Sequence, residues 1–220
     1  MEAIEIIKKI YEYDDHKSSD KPNSISTTQL LGPLFKIRKI LEDTPTDQSL
    51  IDFKFKRSST FGSALHARAK LALDDNPDFV LEKYLEREIT IGDTTYVISG
   101  SFDGLVKNSD GTWDIYDIKT AYGKERKEDA LMKDSLQMSI YRWLINGRYD
   151  VNDRGWILFI SQNVNAQEAY PVLLRSESYV EDFISTKIEM ALMQEEIDCN
   201  KGISYSSCTY CMLVCDKRKG

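Results

Sequence analysis

Apolar and polar residues alternate through the middle of the chain, where they predict β-strands. The pattern runs from residue 84 to residue 106 and is interrupted by a turn at 92–93. A polar segment at 108–111 supplies a second turn, and residues 113–118 form the strand that follows it. This stretch therefore predicts consecutive antiparallel strands, of which the last two form a hairpin.

Helical spacing of apolar residues dominates both sides of this β-rich stretch. A capping-box pattern at 26–29 starts a short helix, which Gly32-Pro33 interrupts. Longer helices are predicted at 2–13, 34–41, 58–73, 126–147 and 176–196. The apolar run at 154–162 predicts a buried strand, with a neighbouring strand at 169–174. The expected fold class is α/β, with a mixed β-sheet flanked by helices.

The helix predicted at 58–73 carries an apolar stripe that we expect to be buried. Its members are Phe61, Leu65, Ala69 and Ala72. His66 lies beside this stripe, and Gly62 one turn earlier leaves room for a close neighbour. A lone histidine in such a place is more often a packed or surface residue than a ligand, so spacing alone does not assign its role.

The chain has 220 residues, of which 41% are hydrophobic and 30% are charged. This length suits one compact domain, and the composition is that of a globular protein. No apolar run approaches the ~18 residues of a membrane span. The N-terminus lacks the basic start and apolar core of a signal peptide. We therefore expect a cytoplasmic protein without a membrane partner.

The net charge of −7 argues against a general polyanion-binding protein, whose phosphate contacts need clustered lysine and arginine. It does not exclude an enzyme that acts on nucleic acid, because catalytic acids add negative charge that bound cations neutralise. Basic clusters at 36–39, 54–57 and 124–127 are candidates for the lining of a groove. Taken singly, each cluster is explained as well by a solvated surface.

The predicted hairpin brings two acids and a lysine to one end of the sheet. Lys119 projects to the same face as Asp117, because side chains alternate along a strand, and Asp103 lies on the preceding strand. Neighbouring carboxylates repel each other, and a divalent cation that binds oxygens of both relieves the repulsion. Such a centre suits phosphodiester hydrolysis, since a metal polarises the phosphate while lysine orients water or offsets charge. On these residues alone, a turn cap and a surface ion pair are the simpler explanation.

Four short motifs change that balance. They are Gly62-Ser63-Ala64-Leu65-His66, Gly100-Ser101-Phe102-Asp103, Asp117-Ile118-Lys119-Thr120 and Gln137-Met138-Ser139-Ile140-Tyr141. In order and separation they resemble the PD-(D/E)XK nuclease superfamily, specifically the RecB-like exonuclease branch of phages and CRISPR-associated nucleases. Phe102 stands where the superfamily name has proline, a position that does not touch the chemistry. The resemblance implies a restriction-endonuclease-like core.

The resemblance also implies roles for individual residues. The metal would be Mg²⁺ or Mn²⁺, and its protein ligands would be His66, Asp103, Asp117 and the carbonyl of Ile118. Lys119 would activate or position water. Gln137 and Tyr141 would contact the substrate or brace the lysine; as a bland alternative, they are the partly exposed flank of a helix.

The implied activity is metal-dependent hydrolysis of DNA by an exonuclease. Its setting would be DNA replication, recombination, repair or processing in a bacterial or phage-infected cell, with DNA as partner. Recombination or replication proteins are further implied partners, and an oligomer is compatible with the resemblance. The alternative is a non-catalytic module that keeps the fold to bind nucleic acid or protein. Loss of a catalytic position would favour that alternative, and the four motifs retain theirs.

The cysteines of the chain cluster near its C-terminus, with the spacing C-x8-C-x2-C-x3-C. They are Cys199, Cys208, Cys211 and Cys215. Four intracellular thiolates so close together suit Zn²⁺ or a [4Fe–4S] cluster, although free thiols remain an alternative. The resemblance favours iron–sulfur, with Gly32 standing where the family often has a further cysteine. We expect a nuclease domain at 1–198 and a Cys-rich tail at 199–220.

Overall fold

The computed structural model describes residues 21–43, 53–73, 75–163 and 165–193. The helix predicted at 2–13 and the Cys-rich tail lie outside the described residues. The described helices are α1 (Thr27–Leu30), α2 (Leu34–Leu41), α3 (Phe53–Leu73), α4 (Glu128–Ile145) and α5 (Glu177–Met193). The described strands are β1 (Ser24–Ser26), β2 (Phe79–Ile91), β3 (Thr94–Lys107), β4 (Trp113–Ala121), β5 (Val151–Ser161) and β6 (Gln167–Leu173).

The six described strands form one mixed sheet around β3. β2 pairs antiparallel along almost the whole of β3, while β1 pairs parallel and β4 antiparallel with different parts of its other edge. β5 continues the sheet parallel to β4, and β6 closes it antiparallel to β5. The predicted α/β class with a mixed sheet and flanking helices is confirmed.

The sheet splits where β3 exchanges one neighbour for another. β1 pairs with β3 over residues 97–99, whereas pairing with β4 begins only at Gly104 opposite Tyr116. Continued in the same register, Phe102 would lie opposite Ile118, but no such pair forms between the described strands. The backbone of Ile118 therefore needs other hydrogen-bond partners on that side.

Helices α4 and α5 bury the apolar faces that the sequence predicted. Ile140, Trp143 and Leu144 of α4 are each at most 1% exposed. The inner residues expected on α5 from helical spacing are also buried, except that Phe183 is half-buried; the buried ones are Val180, Ile184, Ile188 and Ala191. Their burial supplies the apolar free energy that holds the helices on the sheet.

The short helix α1 begins with the predicted capping box. Gln29 donates its backbone N–H to the Ser26 hydroxyl, and the Ser26 N–H donates to the Gln29 side chain at 2.7 Å. Both backbone donors of this turn are thereby satisfied. The prediction from sequence is confirmed, and the cap fixes the chain where it leaves β1.

The stripe predicted to be buried on α3 is partly wrong. The helix begins at Phe53 rather than near residue 58. Phe61 is 42% exposed and Ala72 is also exposed, whereas Gly62, Leu65 and Ala69 are partly covered. The helix is rotated so that Gly62 faces the sheet, where a Cβ would lie 3.6 Å from the Thr120 hydroxyl. Close approach through glycine, rather than the longest apolar stripe, sets the orientation.

Among the described helices, none is both long enough and apolar enough to cross a membrane.

Candidate active site

A cavity of about 1010 Å³ opens where β3 and β4 diverge. Its lining combines α1, the centre of β3, the end of β4, and one face each of α3 and α4. The six residues predicted to act through their side chains at the nuclease site all line it: His66, Asp103, Asp117, Lys119, Gln137 and Tyr141. The fold therefore brings together residues that lie up to 75 positions apart in the chain.

The backbone of Ile118 binds two side chains in place of a strand. Its N–H donates to Asp103 Oδ2 at 2.6 Å, and its carbonyl oxygen lies 3.3 Å from His66 Nε2. His66 Nδ1 lies 3.2 Å from the second oxygen of Asp103. The side chains of Asp103 and His66 thus satisfy the backbone groups that the split of the sheet leaves without a ladder partner.

The hydrogen bond from His66 to Asp103 raises the pKa of the imidazole, although burial opposes this. Both ring nitrogens face oxygen acceptors, so the charged imidazolium satisfies both contacts. The imidazole consequently lies within hydrogen-bonding distance of both a carboxylate and a carbonyl oxygen.

Asp117 is buried with its charge incompletely satisfied. Lys119 Nζ lies 2.7 Å from Asp117 Oδ2, which makes an ion pair. The same oxygen has no hydrogen bond of acceptable geometry within the described part of the chain. Burial raises the pKa of Asp117 to about 7, against the opposing effect of the Lys119 ammonium. The site holds a carboxylate whose oxygen is still able to take a ligand.

Lys119 is held from two sides. Besides its ion pair with Asp117, it donates to Gln137 Oε1 at 2.9 Å. The Gln137 amide in turn donates from Nε2 to the Tyr141 hydroxyl at 2.6 Å. Burial lowers the pKa of Lys119, but Asp117 more than offsets this and the net direction is upward. Lys119 is therefore a positioned, charged ammonium.

Gln137 and Tyr141 are buried, at 8% and 5% exposure, so they are not the partly exposed flank of a helix. Burial raises the pKa of Tyr141, and its hydroxyl stays protonated. The pair forms a short chain of hydrogen bonds behind Lys119, which fixes the direction of the ammonium.

Residues 41–214 match the family described as the PD-(D/E)XK nuclease superfamily. The chain belongs to this superfamily. Its RecB-like motifs are thus found both in the sequence and around one cavity.

Two similar proteins accompany this PD-(D/E)XK match. The CRISPR-associated exonuclease Cas4 of Saccharolobus solfataricus is 25% identical over 154 residues, which cover 70% of each chain. A solved structure described as the crystal structure of SSO0001 has 24% sequence identity and a TM-score of 0.62. The alignment covers 86% of this chain and 83% of that one. At this identity the structural likeness concerns the fold, which is the restriction-endonuclease-like fold expected for a nuclease of this superfamily.

The sequence reasoning missed an ion pair that supports this PD-(D/E)XK site. Arg126 donates from Nε and a terminal nitrogen to both oxygens of the buried Asp134, at 2.7 and 2.9 Å. This bidentate pair fastens the loop after β4 to helix α4, three residues before Gln137. Arg126 was counted in a basic cluster for groove lining, but its guanidinium is committed to Asp134. Separation by only eight residues was the signal available in the sequence.

The chemistry of the donor set fits a divalent cation. Asp103, Asp117 and the Ile118 carbonyl supply hard oxygen ligands, and His66 supplies a nitrogen once its imidazole has lost a proton. The unsatisfied oxygen of Asp117 is what a cation would neutralise. Within the described ranges, no three His, Cys, Asp or Glu side chains are grouped closely enough to hold a metal by themselves. The fit to a cation therefore rests on the chemistry of these donors rather than on their present spacing.

Proposed function

We propose that this protein is a divalent-metal-dependent deoxyribonuclease that acts as an exonuclease. The observation that carries the proposal is the intact arrangement of Asp103, Asp117 and Lys119 in one cavity, with a buried carboxylate oxygen left to bind a ligand. The match to a relative named as an exonuclease supports cleavage from an end, and DNA is the substrate that the resemblance to the RecB-like branch implies.

The residues of the chain divide the work between binding and positioning. Asp103, Asp117, His66 and the Ile118 carbonyl would hold Mg²⁺ or Mn²⁺. A cation bound there would polarise the scissile phosphate and lower the pKa of an attacking water.

Lys119 would place its ammonium beside the phosphate, where it orients water and stabilises the negative charge that develops in the transition state. Gln137 Oε1 accepts a hydrogen bond from the Lys119 ammonium, and the Gln137 amide is itself held by its hydrogen bond to Tyr141. Because the ammonium is fixed before substrate arrives, little reorganisation remains for the reaction. This chain of contacts supports a catalytic rather than a structural role for the buried polar groups of α4.

The metal or cluster site in the Cys-rich tail stays a prediction, because the tail lies outside the described residues. We propose that Cys199, Cys208, Cys211 and Cys215 supply the four ligands of a [4Fe–4S] cluster or of Zn²⁺ without a ligand from the N-terminal region. Gly32 supports this, since a Cβ there would lie 2.8 Å from the carbonyl oxygen of Gln29. A cysteine at that position would require the backbone to shift.

End-labelled single-stranded and double-stranded DNA, incubated with Mg²⁺, Mn²⁺ or EDTA, tests the proposed activity. We expect cleavage with either cation and none with EDTA. Short products released progressively from one end, and protection of circular DNA, would support an exonuclease.

Cleavage of circular DNA at the same rate as linear DNA would contradict the exonuclease assignment and leave an endonuclease. DNA binding without cleavage under any metal condition would support the non-catalytic module instead of the proposed enzyme.

Analysis of the purified protein for iron, zinc and absorbance near ~400 nm identifies the metal bound by the Cys-rich tail.

A further inference from the structure

An aromatic side chain lies in the cavity on the strand next to Asp103. Tyr84 of β2 pairs with Ser101 of β3, and both residues line the cavity. Paired residues on neighbouring strands point to the same face of a sheet, as do residues two apart on one strand. Tyr84, Ser101 and Asp103 therefore share one face of the sheet.

Tyr84 lies about one nucleotide away from the predicted catalytic acid. The two residues are separated by two positions along the strand and one strand across, or roughly 8 Å between their Cα atoms. One nucleotide of an extended DNA strand spans such a separation. A base next to a phosphate at Asp103 would therefore reach the ring of Tyr84.

The hydroxyl of Tyr84 is already used by the protein. It donates to Glu86 Oε1 at 2.9 Å, and the other oxygen of Glu86 forms an ion pair with Lys21 at 2.6 Å. These contacts fasten the tip of a half-buried side chain. What Tyr84 adds to the chemistry of the cavity is consequently its ring rather than its hydroxyl.

The charge of the cavity makes an uncharged contact valuable. Among the described residues that line the cavity, the acidic and basic side chains are Lys21, Lys119, His66, Asp43, Asp103 and Asp117. Acids and bases are balanced in this set, and Lys21 and Lys119 are each committed to a carboxylate. Without a bound cation, the attraction of this cavity for phosphate is therefore weak, and an aromatic contact would supply affinity that does not depend on charge.

We propose that Tyr84 is a stacking platform for one base of single-stranded DNA, adjacent to the nucleotide whose phosphate is cut. This inference rests on the proposed function and specifies its substrate. Stacking on an aromatic ring is tolerant of sequence, because every base has a π-face. In a duplex both faces of a base are covered by its neighbours, so the platform selects single strands and frayed ends.

Binding measurements in EDTA test the platform without depending on cleavage. The affinity for a labelled single-stranded oligonucleotide is measured by fluorescence anisotropy at low salt. Tyr84→Leu should weaken binding about tenfold, and Tyr84→Phe, which keeps the ring, should stay within about twofold of wild type. Tyr122→Leu is the matched control, since Tyr122 is 54% exposed and outside the cavity lining. It should bind as the wild type does.

A scan with one abasic nucleotide identifies the stacked base. Wild type should lose about tenfold in affinity at one position of the oligonucleotide, and Tyr84→Leu should lose nothing further there. Equal losses in both proteins would overturn the platform. So would a Tyr84→Phe variant as weak as Tyr84→Leu.

The scan on wild type and Tyr84→Phe remains decisive if Tyr84→Leu does not fold, because a flat profile in both overturns the proposal. Failure of the platform is also separable from failure of the nuclease. If the wild type cleaves DNA with metal and Tyr84→Leu binds DNA as tightly as the wild type, only the stacking proposal is wrong. If binding depends on Tyr84 but no cleavage occurs, the stacking proposal is supported and the proposed nuclease activity is wrong.

Discussion

Two aspartates three residues apart on β4 are equally buried but differently satisfied. Asp114 is 2% exposed and Asp117 is 3% exposed. Asp114 accepts hydrogen bonds from Asn108, Asn152 and Trp156 at 2.7–3.0 Å, with Arg154 at 3.4 Å. Asp117 has one ion pair and an oxygen without a well-aligned donor in the described part of the chain.

The pKa values of the two carboxyls move in opposite directions. Burial is the largest influence on both and opposes the charged form. At Asp114 the surrounding donors outweigh burial and lower the pKa, whereas at Asp117 burial wins and raises the pKa to about 7. A carboxylate saturated by the protein has nothing left for a ligand. The unsaturated one stores a cost that a bound cation would relieve, as expected of a functional site.

The largest expected effect is on the rate of DNA cleavage, which should depend on Lys119 but not on a lysine outside the cavity lining. Lys119→Ala should lower the cleavage rate by about 10²–10³-fold, because it removes a charge positioned for the transition state. Lys107 pairs with Trp113 at the start of β4 and lies outside the cavity lining, so Lys107→Ala should cut at the wild-type rate. Single-turnover rates and DNA affinity are measured on both, and affinity should change little. Wild-type cleavage by Lys119→Ala would place the active site elsewhere.

The second prediction concerns the stability of the fold, to which Asp114 should contribute more than Asp117. Asp114→Asn should lower the free energy of unfolding by about 2–4 kcal/mol. Donors surround both carboxylate oxygens of Asp114, and asparagine replaces one of these oxygens by an NH₂ group. That NH₂ group must then face another donor. Asp117→Asn should cost less than Asp114→Asn, because the loss of a poorly satisfied buried charge offsets part of the cost of leaving Lys119 without its ion pair.

Urea denaturation of both variants in metal-free buffer measures this difference. The same samples should show activity in the opposite order, with Asp117→Asn inactive and Asp114→Asn active per folded molecule. Equal stability losses would mean that the two carboxylates are equally satisfied in solution.

A smaller effect follows from the lowered pKa of Asp114. A carboxyl with a depressed folded-state pKa contributes stability above its unfolded value, about 3.9, and loses that contribution as pH falls through the folded value. The stability gap between wild type and Asp114→Asn should therefore be constant from neutral pH to about pH 5 and shrink below pH 4. Thermal melts across this range measure the gap. A gap that widens on acidification would contradict the assigned direction.

The local pattern of the sequence placed Asp117 and Lys119 of β4 near Asp103, but it did not identify Asp114 as a buried structural residue. Alternation placed Asp117 and Lys119 on one face, and the hairpin placed Asp103 nearby, because both follow from neighbouring residues. The link from Lys119 to Gln137 came from the family resemblance, and the contacts of Ile118 required the split in the sheet.

Asp114 could not be recognised, because its donors Asn152, Arg154 and Trp156 come from a strand 38–42 residues later. Their approach depends on the parallel register of β4 with β5, which local periodicity does not encode. The wrong stripe on α3 has a similar origin. Local periodicity weighs only the apolar residues, whereas the buried face of that helix is chosen by the contact of His66 with Asp103 and of Gly62 with Thr120.

The smallest expected effect concerns Tyr116, which lies between the two aspartates. Its hydroxyl is buried without a hydrogen-bond partner among the described residues, and burial raises its pKa to about 12. Removing an unsatisfied buried hydroxyl avoids its desolvation cost, so Tyr116→Phe should leave stability unchanged or raise it by up to about 1 kcal/mol. Tyr141→Phe is the matched control: it deletes the acceptor of a 2.6 Å bond from Gln137 and should cost about 1–2 kcal/mol. Urea denaturation compares the pair, and cleavage should fall only in Tyr141→Phe, because only that hydroxyl positions the partner of Lys119. An equal loss of stability in both variants would show that the Tyr116 hydroxyl has found a partner, and β4 would then carry one unsatisfied polar group, at Asp117, rather than two.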